Sequence, residues 1–445
     1  MPLRAVLLAA VLVLVPLGAR AADLVVWWEK GYNPEEDAAV REIVAAFEQK
    51  TGKTVDLSFH VQWELPKEIE AAAAEGRAPD LAYGIWLYEL APRWAYEGRL
   101  VDLAETVGPF ADMFAPKSLA IYRLFDGTTG RRGLYGLPLA SGSNHVHVWK
   151  GLLERAGFTL ADIPQEWREF WAFWCDRVQP AVRQATGRED IWGAGLVMSA
   201  VAGDIGVQLT QFLHAHEADY VTPDGRLVID DPAIRRRMVE ALDGYTEIWR
   251  KGCTPPDAVD WRDADNNKAF LAGRVVMTVN GTLSIPNALR IERPEDYYEN
   301  TATIAWPLGP RGNRFPIVDQ VFPVVVFRAG SGVAAAKSFI RFLVEEGWIA
   351  HWINFVGDRY LPTLPALLDQ PFWLDPSDPH RMASVMQARE REDFDYIAAS
   401  GDWRHGRVNE ERVWQRAVHR VVTEGFSPER AVDEVIARIK QILSE

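Results

Sequence analysis

Apolar positions recur along the chain with two spacings. Leu24-Val25-Val26-Trp27-Trp28 is an unbroken apolar run that predicts a buried strand, and Glu29-Lys30-Gly31-Tyr32-Asn33-Pro34 reads as the loop after it. Between Glu36 and Lys50 the apolar residues Val40, Ile43, Val44 and Phe47 keep helical spacing, and Thr51-Gly52 stops the helix. Thr54 to Phe59 alternates as a strand, so the chain opens as β-α-β and predicts a parallel sheet. A helix follows over Lys67–Glu75, broken by Gly76-Arg77-Ala78-Pro79, and Asp80 to Tyr83 begins a short strand. Extended chain is predicted at Gly133–Leu139, Asn144–Trp149, Val275–Val279, Ile304–Pro307 and Val324–Phe327. Helices are predicted at Leu152–Phe158, Glu166–Val178, Ala334–Glu346 and through most of Arg412–Leu443. Strands alternating with helices define an α/β class. Neither an internal repeat nor a low-complexity linker divides the chain, so its lobes are expected to be discontinuous in sequence.

The first residues carry a different pattern. Arg4 is followed by an apolar run from Ala5 to Leu17 and by Ala19-Arg20-Ala21, the arrangement of a cleavable secretory signal. The run is too short to span a bilayer, and no later segment reaches 18 apolar residues. No Cys stands directly after the expected cleavage at Ala21, which argues against a lipid anchor and for a periplasmic protein. Losing Arg4 and Arg20 would take the formal charge of the 445-residue chain from −14 to −16. That acidity argues against a duplex nucleic-acid binder or a protein of anionic membrane surfaces. Only Cys175 and Cys253 are present; they could pair, although Cys175 among Trp171, Phe173 and Trp174 reads as a buried thiol. The 18 Trp, about three times the usual share, exceed what cores need. Trp167, Trp171 and Trp174, at helical spacing, are expected in packing.

Seven segments in order carry a resemblance: Phe47–Val55, Gly76–Leu81, Trp94–Leu103, Tyr135–Pro138 with Val148–Lys150, Ala156–Phe158 with Gln165–Phe170, Ala269–Met277 with Asn280-Gly281, and Tyr360–Thr363. Together the chain resembles the extracellular solute-binding proteins of carbohydrate ABC transporters, of the maltodextrin-binding type. Trp149, where Asn is usual, and Gln165-Glu166 before Trp167 depart from the pattern. The resemblance implies two α/β lobes joined by hinge strands, a type II periplasmic binding fold with ligand held between the lobes. It places 22–139 plus 307–344 in one lobe and 146–305 plus 348–445 in the other, with hinges near 140–145, 305–307 and 345–347.

A sugar offers hydroxyls at its edge and C–H bonds on its faces, so its site needs aromatic platforms beside charged and amide groups. The resemblance directs attention to loops after strands. There the candidates are Trp28, Glu29, Lys30 and Tyr32; Gly84 and Trp86; and Ser141, Asn144 and His145 at the first expected hinge. Asp204, Asn280, Gly281, Thr282, Asp319, Gln320, Trp403 and Arg404 complete the set. Of Trp27 and Trp28, one is expected in the core and one toward the cleft. His145-x-His147 and His214-x-His216 have a metal-compatible spacing but no third ligand nearby, so no metal or other cofactor is expected.

The expected function is binding of an oligosaccharide or related neutral hydroxylated solute and its delivery by a monomeric protein to a membrane permease, without catalysis. The alternatives are a polyol, glycerophosphodiester or polyamine in the same fold, or an exported glycoside hydrolase, which would need two carboxylates about 5–10 Å apart.

Overall fold

The computed structural model describes residues 22–356, 359–390 and 401–445; the expected signal, 1–21, lies outside them. The strands, in chain order, are β1 (Leu24–Glu29), β2 (Val55–His60), β3 (Leu81–Tyr83), β4 (Arg123–Asp126), β5 (Arg131–Leu134), β6 (Leu137–Ser143), β7 (His145–Trp149), β8 (Trp192–Gly195), β9 (Val275–Asn280), β10 (Thr301–Ile304), β11 (Asp319–Val326) and β12 (Leu361–Pro362). They form a six-stranded sheet in the order β12-β6-β11-β3-β1-β2, a four-stranded sheet β10-β7-β9-β8 and the hairpin β4-β5. The opening β-α-β unit is parallel, with β1 between β2 and β3, whereas β11 runs antiparallel to β3 and β6. Both main sheets are therefore mixed.

Each sheet has its own hydrophobic core, which gives the two lobes of a type II periplasmic binding fold. The first gathers Leu24, Val26, Phe47, Leu81, Trp94, Val324, Phe339, Trp352 and Trp373. The second gathers Val148, Trp171, Phe212, Tyr245, Met277, Trp414 and Ile439. Helices form where the spacing predicts them. Pro34–Thr51 opens with a capping box between Asn33 and Glu36 and ends at left-handed Gly52. The C-terminal helical region is two helices, Val413–Thr423 and Pro428–Ser444, separated by Gly425 at φ 71°. Trp167, Trp171 and Trp174 pack inside the second core, Trp167 with its ring stacked 6.3 Å from Trp306.

Three placements differ from the sequence reading. Cys175 and Cys253 are joined in a disulfide, so Cys175 is not a buried thiol. The close approach rests on Gly193, where a side chain would strike the Trp174 carbonyl at 2.2 Å. The chain passes from the first sheet to the second at Ser143–His145, and Asn144 N–H donates to the Val318 carbonyl at 3.1 Å. It returns at Val318–Asp319, not near Ala305–Pro307, because Trp306 is buried in the second core and Phe315 and Ile317 pack on it. No passage occurs at Glu345–Gly347. The helices on either side, Val333–Glu345 and Trp348–Phe355, both pack in the first core, and β12 extends the first sheet. The residues just beyond Gly347, placed by the sequence reading in the second lobe, thus belong to the first. The third passage lies beyond Trp373: the Tyr297 hydroxyl of the second lobe donates to Asp378 at 2.8 Å, and helix Arg381–Glu390 spans the two lobes.

Candidate ligand-binding cleft

The cleft lies where the loops after the strands of both sheets meet. The first lobe contributes aromatic groups: Tyr32 from the β1 loop, Trp63 from the β2 loop, Trp86 and Tyr88 from the β3 loop and helix Leu87–Tyr96. Phe322 and Gln320 add to this wall from β11, and Gln320 donates to the Tyr88 hydroxyl at 2.8 Å. Trp63 is 53% exposed, and the Trp86 and Tyr88 rings lie 6.2 Å apart.

The second lobe contributes hydrogen-bonding groups: Asp204, Asp263, Asn267, Asn280, Gly281, Thr282 and Ser284. Asn280 Nδ2 donates to the Thr282 carbonyl at 2.8 Å and to Ser284 Oγ at 3.0 Å, and Asn267 Nδ2 donates to the same hydroxyl at 3.0 Å. Asp263 accepts the N–H of Gly203 at 2.6 Å and, more weakly, that of Asp204 at 3.4 Å, at the start of helix Asp204–Ala215. Burial, with the charge of Asp263 beside it, pushes the Asp204 carboxyl up to about 7; burial raises Asp263 too.

Beneath the aromatic wall, Arg359 donates to Glu36 at 2.8 Å and lies 3.7 Å from Glu29. Glu29 accepts the Ile85 N–H at 2.7 Å, and Tyr360 stands at 3.5 Å. Burial outweighs the attraction of Arg359, whose close bond goes to Glu36, so the Glu29 carboxyl rises to about 7. The guanidinium also lies 5.6 Å from the Tyr32 ring, tying this cluster to the cleft.

The lobes are in contact. The inner cavity holds only about 60 Å³, well below the roughly 300–1,000 Å³ of a typical ligand pocket. Trp86 closes one end: a side chain on Gly203 across the cleft would meet its ring at 2.4 Å. Beyond Trp86 an outer recess of about 390 Å³ is lined by Trp63, Lys67, Glu70, Glu89, Arg93, Asp263, Glu410 and Arg412.

Of the residues singled out in the sequence, Tyr32, Trp86, Asp204, Asn280, Gly281, Thr282 and Gln320 line the inner cavity. The others lie elsewhere. Trp28 sits inward with Leu24 and Val26 on β1, its ring 4.5 Å from Tyr83; its neighbour Trp27 stacks instead on His60. Glu29 is buried below the floor, and Lys30 points into solvent. Gly84 packs against Leu65 and Glu29. Ser141, Asn144 and His145 are buried in the crossing: Asn144 Nδ2 donates to the Val207 carbonyl, and His145 meets Gln387. Trp403 stacks on Tyr96 of the first lobe at 4.9 Å, and Arg404 is held by Asp402. Asp319 begins β11, and its side chain lies outside the described residues. The sequence reading missed Trp63, Tyr88, Asp263, Asn267 and Arg359. Trp63 follows a strand, as Tyr32 and Trp86 do, and Arg359 directly precedes the Tyr360–Thr363 segment, so both had a local signal.

A two-lobed α/β molecule with an aromatic wall facing a polar wall across an interlobe cleft belongs to the class of solute-binding proteins. Accordingly, a family model for bacterial extracellular solute-binding proteins matches residues 42–383, and the chain belongs to that family. A search of curated proteins gives no match. Among solved structures, an ABC transporter solute-binding protein of Thermotoga lettingae TMO bound with α-D-tagatose superposes with a TM-score of 0.74 at 17% identity, over 94% of this chain and 99% of that one. Maltose-bound MalE3 of T. maritima gives 0.72 at 20% identity, over 94% and 99%. The GacH receptor of Streptomyces glaucescens GLA.O, solved unliganded and with acarbose, gives 0.74 at 17% identity, over 95% and 98%. These likenesses establish a shared fold. Among the described residues no helix is long and apolar enough to cross a membrane, and no cluster of three or more His, Cys, Asp or Glu is placed to hold a metal ion.

Proposed function

We propose that the protein binds a carbohydrate in this cleft, closes on it, and presents it to the permease of an ABC transporter for import. The observation that carries the reading is the division of labour across the cleft. Tyr32, Trp63, Trp86 and Tyr88 on one lobe suit the C–H faces of a sugar ring. Asp204, Asp263, Asn267, Asn280 and Thr282 on the other suit its hydroxyls. Sugars bound by the structural relatives support the same class. Export by the N-terminal signal and action as a periplasmic monomer complete the proposal. Affinity without chemistry requires only that ligand contact both lobes better when closed than when open.

Titration calorimetry with mono- and oligosaccharides, paired with small-angle scattering, tests this. Binding should raise the melting temperature and reduce the radius of gyration. Unchanged melting and radius across a broad panel would reject the ligand class, and turnover of chromogenic glycosides would favour the hydrolase instead.

A further inference from the structure

The acceptors and donors of the cleft do not balance. Among the described residues Arg359 is the only cation lining the inner cavity, and it is committed to Glu36 and Glu29. Facing it are Asp204 and Asp263. Asp263 accepts two backbone N–H groups, at 2.6 and 3.4 Å, and Asp204 is bonded by Asn266; neither is paired with a cation in the inner cavity. Glu89 approaches from the first lobe with the Tyr88 hydroxyl at 3.2 Å. Among the described residues the cations of the outer recess form no ion pair with Asp204 or Asp263, although the charge of Arg412 acts on Asp263. Arg93 bonds Glu70, Glu97 and Glu410, Arg412 donates to the Val201 carbonyl, and Lys67 is exposed at the rim.

A second observation points to a ligand independently of these carboxylates. Asn267, only 5% exposed, lines the cavity with its Oδ1 buried and, among the described residues, without a partner, its Nδ2 being spent on Ser284. A buried acceptor left open costs free energy that a bound donor recovers. A hydroxyl offers one donor and no charge. An ammonium offers three donors, no acceptor and a full positive charge, and it also suits the face of Trp86.

We propose that the physiological ligand is an amino sugar, free or within a short oligosaccharide, whose protonated amine sits between Asp204, Asp263 and Asn267 Oδ1 beside Trp86. The inference rests on the carbohydrate reading above and narrows it. Among the described residues the buried donors Trp86 Nε1 and Arg359 Nε have no partner and remain for the ring hydroxyls, which is why a sugar amine fits better than a simple polyamine. Two like-charged carboxylates side by side resist ionisation, and a bound cation removes that penalty. This agrees with the raised carboxyls of Asp204 and Asp263.

The test uses the mature protein, unfolded and refolded to strip bound solute, and matched ligand pairs at pH 7: glucosamine with glucose, galactosamine with galactose, and deacetylated chitobiose with cellobiose. At least one amine should bind tenfold or more tighter than its neutral partner, and the preference should weaken with salt. Asp263→Asn and Asp204→Asn, checked for folding by thermal melts, should each bring that ratio toward one. Equal or tighter binding of the neutral partners overturns the ammonium site and leaves the carbohydrate reading standing. Preference unchanged in both variants also overturns it. Binding of spermidine with no sugar bound overturns both readings, as does failure of every sugar, charged or neutral, to bind.

Discussion

Arg359 shows how one side chain ties the cleft to its support. Its guanidinium is buried, bonded to Glu36 at 2.8 Å and packed 4.7 Å from the Tyr360 ring. Replacing it by Met keeps the volume but leaves Glu36 and Glu29 buried with no cation. Breaking a buried pair on one side costs about 3–5 kcal/mol, and denaturant unfolding of Arg359→Met should register a loss of that order; under 1 kcal/mol would mean that water reaches the carboxylates. The sequence announced this residue only by adjacency, since nothing local says that Arg359 meets Glu29 and Glu36 from more than 320 positions away. Local information sufficed where strand geometry decides. Alternation along β1 requires that one of Trp27 and Trp28 face inward; that it is Trp28 follows from Leu24 and Val26 sharing its face. Trp86, Asn280–Thr282 and Gln320 were legible because they sit at strand ends. Asp263 and Asn267 were not, because they enter from a loop and helix with no strand before them.

At the scale of elements, helix Arg381–Glu390 and the turn before it are the parts the sequence placed least well. Asp378 and His380 attach that turn to the second lobe: His380 bonds the hydroxyls of Thr303 at 2.8 Å and Thr301 at 3.2 Å, beside Tyr297, and His147 bonds Thr303 at 2.9 Å. Burial lowers the His380 pKa to about 4 despite the nearby Asp378, and holds His147 well below its ordinary range, with His145 and His380 adding repulsion. A histidine with a depressed folded pKa contributes nothing to the pH dependence above the unfolded value near 6.5. Below it, the unfolded chain takes up the proton first, so stability falls from pH 6.5 toward pH 4. For His380 alone the loss should approach about 3 kcal/mol. Unfolding measured from pH 7.5 to 4 should therefore slope less in His380→Gln than in the native chain, and equal slopes would contradict the buried, neutral assignment. A second element, helix His405–Glu410, meets helix Leu87–Tyr96 across the lobes. There Trp403 stacks on Tyr96, and Arg93 lies 3.4 Å from Glu410. This contact holds the closed form and touches no part of the inner cavity. Trp403→Ala should weaken sugar binding severalfold, since the closed form loses this contact and fewer molecules are then closed. Unchanged affinity in calorimetry would remove the latch.

The molecule as a whole must open to admit a ligand, because about 60 Å³ between the lobes holds a few waters at most. Two backbone approaches set how far it closes. Gly142, in the crossing, leaves room for the Gly281 carbonyl, which a Cβ would meet at 2.3 Å, and Gly203 leaves room for Trp86. Gly203 is the more informative, since it joins the lobes away from the crossing strands and its backbone, φ −69° and ψ −36°, is open to any residue. The three atoms nearest to a Cβ placed there all belong to Trp86 of the other lobe. Gly203→Val should thus keep the native melting temperature within a few degrees while holding Trp86 and the second lobe apart. Scattering with saturating ligand should then show a radius that stays near the open value, where the native protein contracts, and calorimetry should show weaker binding. If the variant contracts as the native chain does, Trp86 swings aside during closure, and the limit to closing lies at Gly142 and Gly281 instead.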